Sequence, residues 1–477
     1  MTRDRSFRRL GRSTALFAVA SAALLGSASA QQTTLTFVWH AGTCADKFYE
    51  ISKDYPDKNV TMVPSLVPYG PEWHNKIASE FAIKGDGFDI AMWDSQDAAE
   101  FAGGGHAYSM NKVFESSKIL KPELFDKASL ARYGEYPDGS GKFWGLPANQ
   151  DAFGMIYRKD LFNDPKEQAA FKAKYGRDLK VPQTYQDAKQ VAEFFTRPAD
   201  GLFGWGQMGG REYDFATSAS NGFLWSYGGE LYNPKTFEVK GYLNSPASIA
   251  GVQAYVDMFK FAPPGSANWG WDEVNAAFQQ GKLAMATNWF YFFGSMADPK
   301  TNKFAEKTGF ANAPGAIGPD GKFRRQVSVG GQGMGINIYS KKIPTVVKFM
   351  EWYLQPAQQK RYAAVCQTGL KSVIDSPDWQ KANRYNKLFA KAITLTNDYW
   401  HLPEYSVLLD QLQEEVSNAS SGKKTVKQAL DDAAEKNERT LTKAGYKIVR
   451  TANIPAVPDQ IVTPSGMATV EELAPAD

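Results

Sequence analysis

Residues 33–96 read TTLTFVWHAGTCADKFYEISKDYPDKNVTMVPSLVPYGPEWHNKIASEFAIKGDGFDIAMWDSQ, a strand–helix–strand–helix–strand pattern. The opening TTLTFVW is β-prone and alternates, as a half-buried strand does. Asp46 to Tyr55 suits a helix, and Val60 to Val67 a second strand, although Pro64 would remove a ladder hydrogen bond from a central strand. Pro71 fits a first helical turn, and Trp73, Ile77 and Phe81 then recur every four residues in a helix that ends near Gly85. The compact apolar run FDIAMW, Phe88 to Trp93, suits a buried central strand. Such alternation builds an α/β fold with crossover helices.

The same grammar continues with less contrast. Lys142 to Leu146 and Gly154 to Tyr157 are strand-like, and Tyr185 to Phe195 is helical. A Gly- and aromatic-rich stretch runs from Gly201 to Gly229. Helices are expected over 246–261 and 273–280, a strand over 283–288, another over 327–338, a helix over 342–354, and mostly helix over 385–445. No internal repeat is visible. Residues 451–477 hold four prolines and no period, the mark of a tail.

Residues 1–30 have the parts of a secretory leader. Arg3, Arg5, Arg8, Arg9 and Arg12 form a basic start, Ala15 to Leu25 a short apolar run, and Ala28-Ser29-Ala30 a small-residue cleavage site, so the mature chain is expected to begin at Gln31. The Arg8-Arg9 pair also permits a twin-arginine route, but its flanks fit the general secretory route better. No Cys ends the apolar run, so no lipid anchor is expected. Loss of the leader removes five arginines and one aspartate and takes the formal charge from +3 to −1. That balance argues against nucleic acid as a partner. The 477 residues exceed one comfortable core, and twelve Trp beside only four His favour stacking on flat apolar faces over metal chemistry.

Several blocks, taken in order, resemble the extracellular solute-binding proteins of ABC importers, in the branch that includes maltose-binding and other sugar-binding proteins. They are LTFVW (35–39), EWHNKIASEFAIKGDGFDIAMWDSQ (72–96), GKFWGLPANQDAFGMIYRKDLF (141–162), AFQQGKLAMATNW (277–289), VSVGGQGMGINIYSKK (327–342) and SGKKTVKQALDDAAEK (421–436). The resemblance implies a two-lobed periplasmic binding protein fold, each lobe a sheet with flanking helices, discontinuous in sequence and joined by hinge strands. By analogy one lobe holds 31–147 and 294–342, and the other 148–293 and 343–450. It further implies a periplasmic monomer without cofactor that binds a small neutral carbohydrate or polyol between the lobes and delivers it to a membrane permease.

A sugar needs carboxylates and amides around its edge and aromatic rings against its faces. The resemblance places ligand contacts at Asp94, Ser95 and Gln96, where a helix N-cap is the competing reading. It also places them at Asn149, Gln150 and Asp151, otherwise a polar turn. Asn288 and Trp289 end a strand, with Trp289 the first choice for a stacking ring and an ordinary core position its alternative. Trp39 and His40 follow the first strand, Gly331 and Gln332 belong to a glycine turn that lets backbone approach ligand, and Trp269, Trp271, Trp400 and His401 are secondary candidates. Relatives often offer Asp, Asn or Lys where this chain has His40 and Cys44, a departure from the sugar-binding pattern.

Enzyme signatures are missing. The histidines at 40, 74, 106 and 401 spell no zinc motif, Gly-x-Ser-x-Gly is absent, and Gly204-Trp-Gly206-Gln-Met-Gly209 lacks the strand and helix that a dinucleotide loop requires. The rival class is a secreted glycoside hydrolase using paired carboxylates, with Asp94 and Asp151 as the pair. Cys44 and Cys366 share an oxidising compartment and are free to pair or not. On the lobe assignment above, a bridge would tie one lobe to the other.

Overall fold

The computed structural model describes residues 32–451, so the expected leader and nearly all of the expected tail lie outside the described residues. Ten strands are present in this span: β1 (Thr33–His40), β2 (Val60–Val67), β3 (Ile90–Asp94), β4 (Gly145–Arg158), β5 (Met285–Trp289), β6 (Thr308–Asn312), β7 (Ala316–Ile317), β8 (Phe323–Arg324), β9 (Val327–Ile336) and β10 (Thr396–Asn397). The main sheet runs β2-β1-β3-β9-β4-β5, with β6 also on β4 and β10 also on β9, while β7 and β8 form a separate hairpin.

The opening unit folds as its pattern dictates. β1 pairs in parallel with both β2 and β3, and α1 (Thr43–Ser52) and α2 (Pro71–Ala82) supply the crossovers. All five residues of β3 are buried, because β1 flanks it on one side and β9 on the other. Pro64 is tolerated because β2 is the outer strand, where one edge of the ladder has no partner. Pro71 occupies the first turn of α2, whose buried face is Trp73, Ile77 and Phe81.

Two hydrophobic cores divide the chain. The first gathers residues such as Phe37, Trp73, Ile90, Met334, Phe349 and Cys366. The second gathers Met155, Trp205, Phe223, Phe290, Phe310 and Leu408, among others. Each core defines a lobe, and the packing corrects the expected assignment at two places. Met296, Phe310, Ala313 and Val327 belong to the second core, although 294–342 was expected in the first lobe. Val346, Phe349, Tyr353 and Tyr362 belong to the first core, although 343–450 was expected in the second.

Three segments cross between the cores. β4 is one continuous 14-residue strand rather than two short ones: 145–152 pair with β9, 153–157 with β5 and 154–158 with β6. The Asn149-Gln150-Asp151 triplet is therefore strand interior, not a turn. β9 crosses beside it, with Met334 in the first core and Val327 in the second. The third crossing lies between Cys366 and Leu370, where Gln367 accepts the Gln150 amide at 3.0 Å and Thr368 bridges Asn149.

The Gly201–Gly229 stretch hides a buried helix, Phe215–Ser226, whose small residues let it sit deep in the second core. Cys44 and Cys366 form a disulfide. Both belong to the first core, so the bridge closes one lobe on itself and does not tie the two together.

Candidate functional site

Strand alternation at the crossing sends Asn149 and Asp151 to one face of β4 and Gln150 to the other. The first two border a cavity of about 190 Å³. Gln150 instead accepts from the Ser129 hydroxyl and donates to the Thr368 carbonyl at 3.3 Å, which secures the hinge. Asn149 does both jobs: its amide donates to Gln332 Oε1 at 2.9 Å, across to β9, and its carbonyl oxygen accepts the Gln367 amide.

Walls of the cavity come from both lobes. The first contributes His40, Tyr69 and Asp94, and the second contributes Asp214, Trp271, Trp289, Tyr291, Phe292 and Tyr399. Gly330, Gly331 and Gln332 of β9 form its floor with Asn149 and Asp151. Gly331 has φ of +89° and packs so tightly that a Cβ would lie 2.0 Å from the Asn149 carbonyl oxygen, so no other residue fits. Gly330 lies under the Trp289 ring, where a Cβ would approach to 2.6 Å.

Aromatic faces are held by one another. Trp289 lies 4.1 Å from Phe153, centroid to centroid, so it is a cavity wall and a packing residue at once. Trp271 begins the helix Trp271–Gln279 and meets Phe215 at 4.6 Å and Tyr69, from the opposite lobe, at 5.1 Å. Tyr69 also meets Tyr213 at 5.0 Å, so an aromatic seam closes one side of the cavity across the lobe boundary.

Three carboxyl groups face this space, and neither Lys nor Arg lines it. Burial raises Asp94 well above the ordinary carboxylate range, reinforced by the neighbouring Asp97 charge, while the Tyr213 hydroxyl opposes the shift. Burial likewise raises Asp151 to about 8, opposed by backbone amides of Ala152, Tyr291 and Phe290. Asp214 is raised to about 7 by burial, opposed by the Tyr399 hydroxyl that donates to its Oδ2 at 3.2 Å. The other Asp214 oxygen, Oδ1, is buried and has no hydrogen-bond partner. His40 is pushed down to about 4 by burial, so its ring is neutral near pH 7.

Of the residues singled out from sequence, His40, Asp94, Asn149, Asp151, Trp271, Trp289, Gly331 and Gln332 border the cavity. The others do not. Trp39 is 1% exposed and packs on Phe48 in the first core. Ser95 and Gln96 are buried in a short helical turn after β3, from which Gln96 reaches the Tyr213 hydroxyl at 3.5 Å. Asn288 donates to the Trp271 carbonyl and to Asn275, bracing the helix that carries Trp271. Trp269 packs against the second core, Trp400 is fully buried within it, and His401 lines a neighbouring chamber.

Tyr69, Asp214, Tyr291, Phe292 and Tyr399 escaped the sequence reading. Tyr291 and Phe292 sit directly after Trp289, so extending that block by two residues finds them. Asp214 and Tyr399 follow no predicted strand, and only folding brings them to the hinge.

Residues 42–360 match the family described as bacterial extracellular solute-binding protein. The chain is similar to a mannitol-binding protein of Pseudomonas aeruginosa, with 24% identity over 404 residues covering 78% of this chain and 84% of the relative. Among solved structures it resembles the maltose-bound MalE3 of T. maritima, with a TM-score of 0.71 and 22% identity over 86% of this chain and all of that one. It also resembles an ABC transporter solute-binding protein from Agrobacterium radiobacter K84 in complex with ribitol, with a TM-score of 0.72, 22% identity, and coverage of 86% and 99%.

Proposed function

The chain belongs to the bacterial extracellular solute-binding protein family, and from that premise we propose that it captures a neutral polyol or sugar between its lobes. The observation that carries this reading is the buried, unpartnered Asp214 Oδ1 on a cavity wall that also holds the rings of Trp271 and Trp289. One solute hydroxyl donates to that oxygen and another to Asp94 or Asp151, while C–H faces lie on the rings. Absence of Lys and Arg from the lining disfavours an anionic solute. Names of the relatives, which bind mannitol, maltose and ribitol, support the same solute class.

In this reading residues 1–30 direct export to the periplasm and are cleaved, the mature chain works as a monomer, and the loaded protein delivers its solute to the permease of an ABC importer. Among the described residues no helix is long and apolar enough to cross a membrane. In the same reading Asp94 and Asp151 serve as hydrogen-bonding groups for the solute, which membership of a family of binding proteins supports.

A thermal-shift screen followed by calorimetry tests the proposal on the mature chain. Alditols, neutral sugars, sugar acids and quaternary amines form the panel, since a native-state ligand raises apparent stability by mass action. Neutral polyhydroxylated solutes are expected to bind. Stabilisation by cations or acids alone would overturn the solute class, and hydrolysis of a bound glycoside would restore the enzyme reading.

A further inference from the structure

On the other side of Tyr399 lies a second chamber of about 390 Å³. Like the first cavity it is lined from both lobes, by Arg132, Glu135 and Asp138 on one side and by Trp225, Tyr232 and His401 on the other. Tyr399 borders both spaces, and its hydroxyl donates to Asp214 in the first.

The chamber repeats the chemistry of the cavity. It offers aromatic side chains at Trp225, Tyr232 and Tyr399, and two of its buried polar atoms have no protein partner: Asp398 Oδ2, an acceptor, and His401 Nε2. The other oxygen of Asp398 accepts the Tyr399 amide at 2.8 Å, which fixes the carboxyl, and the other ring nitrogen of His401 is hydrogen-bonded to Asp138. The His401 ring is 9% exposed. Arg132 is already committed, because its guanidinium donates to the Thr396 hydroxyl and carbonyl at the hinge. The unpartnered atoms are thus a fixed carboxyl oxygen and an imidazole nitrogen among rings, and with Glu135, Asp138 and Glu230 also on the lining the set suits hydroxyl groups rather than an anion.

We propose that the two spaces are subsites of one cleft and that the solute is at least two units long, a disaccharide or a glycosylated alditol. Its first unit lies against Trp271 and Trp289, and its second passes Tyr399 to meet Asp398 and His401. This rests on the carbohydrate reading above and narrows it.

Calorimetry compares maltose, sucrose, trehalose, cellobiose and maltitol with glucose, fructose and glucitol, on wild type and on Asp398→Asn and His401→Gln. At least one two-unit solute is expected to bind about tenfold more tightly than either of its components, the worth of one well-made hydrogen bond. In both variants that ratio is expected to fall towards one. The ratio is the readout because general loosening of the closed form weakens long and short solutes alike. Tighter binding of a single sugar or alditol than of every two-unit solute, or an unchanged ratio in both variants, overturns the second subsite while leaving carbohydrate capture intact. No binding by any of these neutral solutes removes the carbohydrate reading itself.

Discussion

The Tyr213 hydroxyl of the second lobe donates to Asp94 Oδ2 of the first at 2.6 Å. Tyr213 reaches it from a backbone with φ of +50°, a conformation that non-glycine residues seldom adopt. Nearby, Asp97 accepts from His74 of its own lobe at 3.0 Å and from the Tyr405 hydroxyl of the other. Tyrosines of one lobe are thus bonded to carboxyls of the other at both Asp94 and Asp97.

Tyr213→Phe keeps the ring against Tyr69 and removes the bond to Asp94. Burial holds the Asp94 carboxyl towards its neutral form, and a neutral hydrogen bond is worth about 1 kcal/mol, so affinity for the solute should fall roughly fivefold. The free protein should also open more, giving a larger radius of gyration by small-angle scattering. If affinity and radius both match wild type, this bond has no part in closure.

Trp271→Ala should separate binding from stability. The ring is only partly buried, so truncation costs little folding energy, whereas loss of an aromatic anchor from a binding site typically costs about 2 kcal/mol, close to a thirtyfold loss of affinity. Trp289→Ala should lose both, since that ring also packs on Phe153 and over Gly330. Calorimetry paired with thermal unfolding reads the difference, and equal unfolding temperatures for the two variants would contradict it.

Buried carboxyls set a pH dependence. Asp214 ionises near its ordinary value of 3.8 when unfolded but near 7 when folded, so the folded state holds its proton between these limits. Stability from this group is complete below about pH 4 and is lost as pH rises through about 7. Asp151 acts in the same direction up to about pH 8, whereas His40, pushed down to about 4, costs stability as pH falls below its ordinary 6.5. Asp214→Asn removes only the first contribution. Its unfolding temperature relative to wild type should therefore be higher at pH 8 than at pH 5, by on the order of 2 °C or more. No change in that difference would mean that Asp214 is not held protonated.

The Cys44–Cys366 bridge spans 322 residues of sequence yet stays within one lobe. Thiol titration of the denatured, unreduced protein should find no free cysteine among the described residues. Replacing both with Ala should lower stability by about 2–5 kcal/mol, while the decrease in radius of gyration on solute binding persists. Loss of that decrease would mean that the bridge also governs the hinge.

Local pattern made β1, α1, β2, α2 and β3 legible because each buries a face whose period is written in consecutive residues: alternation in Leu35, Phe37 and Trp39, and four-residue spacing in Trp73, Ile77 and Phe81. The helix Phe215–Ser226 was illegible for the converse reason. It is buried on every side, so it has no polar face and no period to detect. Within β4, three successive polar residues read as ligand contacts placed after a strand or else as a polar turn, because a solvent-free polar strand interior is rare. The structure supplies what makes it possible, partners for Asn149 and Gln150 on the two other crossing segments.

By itself the sequence determined the α/β class and the family resemblance, since these rest on residue identity and short-range spacing. Only the tertiary structure decided which lobe each late segment joins, that the disulfide lies within one lobe, and that Asp214, Tyr399 and Tyr69 share a cavity with Asp94 and Trp289. The reason is physical: a cavity between two lobes is bounded by residues far apart in the chain, and their meeting depends on how three crossing segments bring two separate cores together.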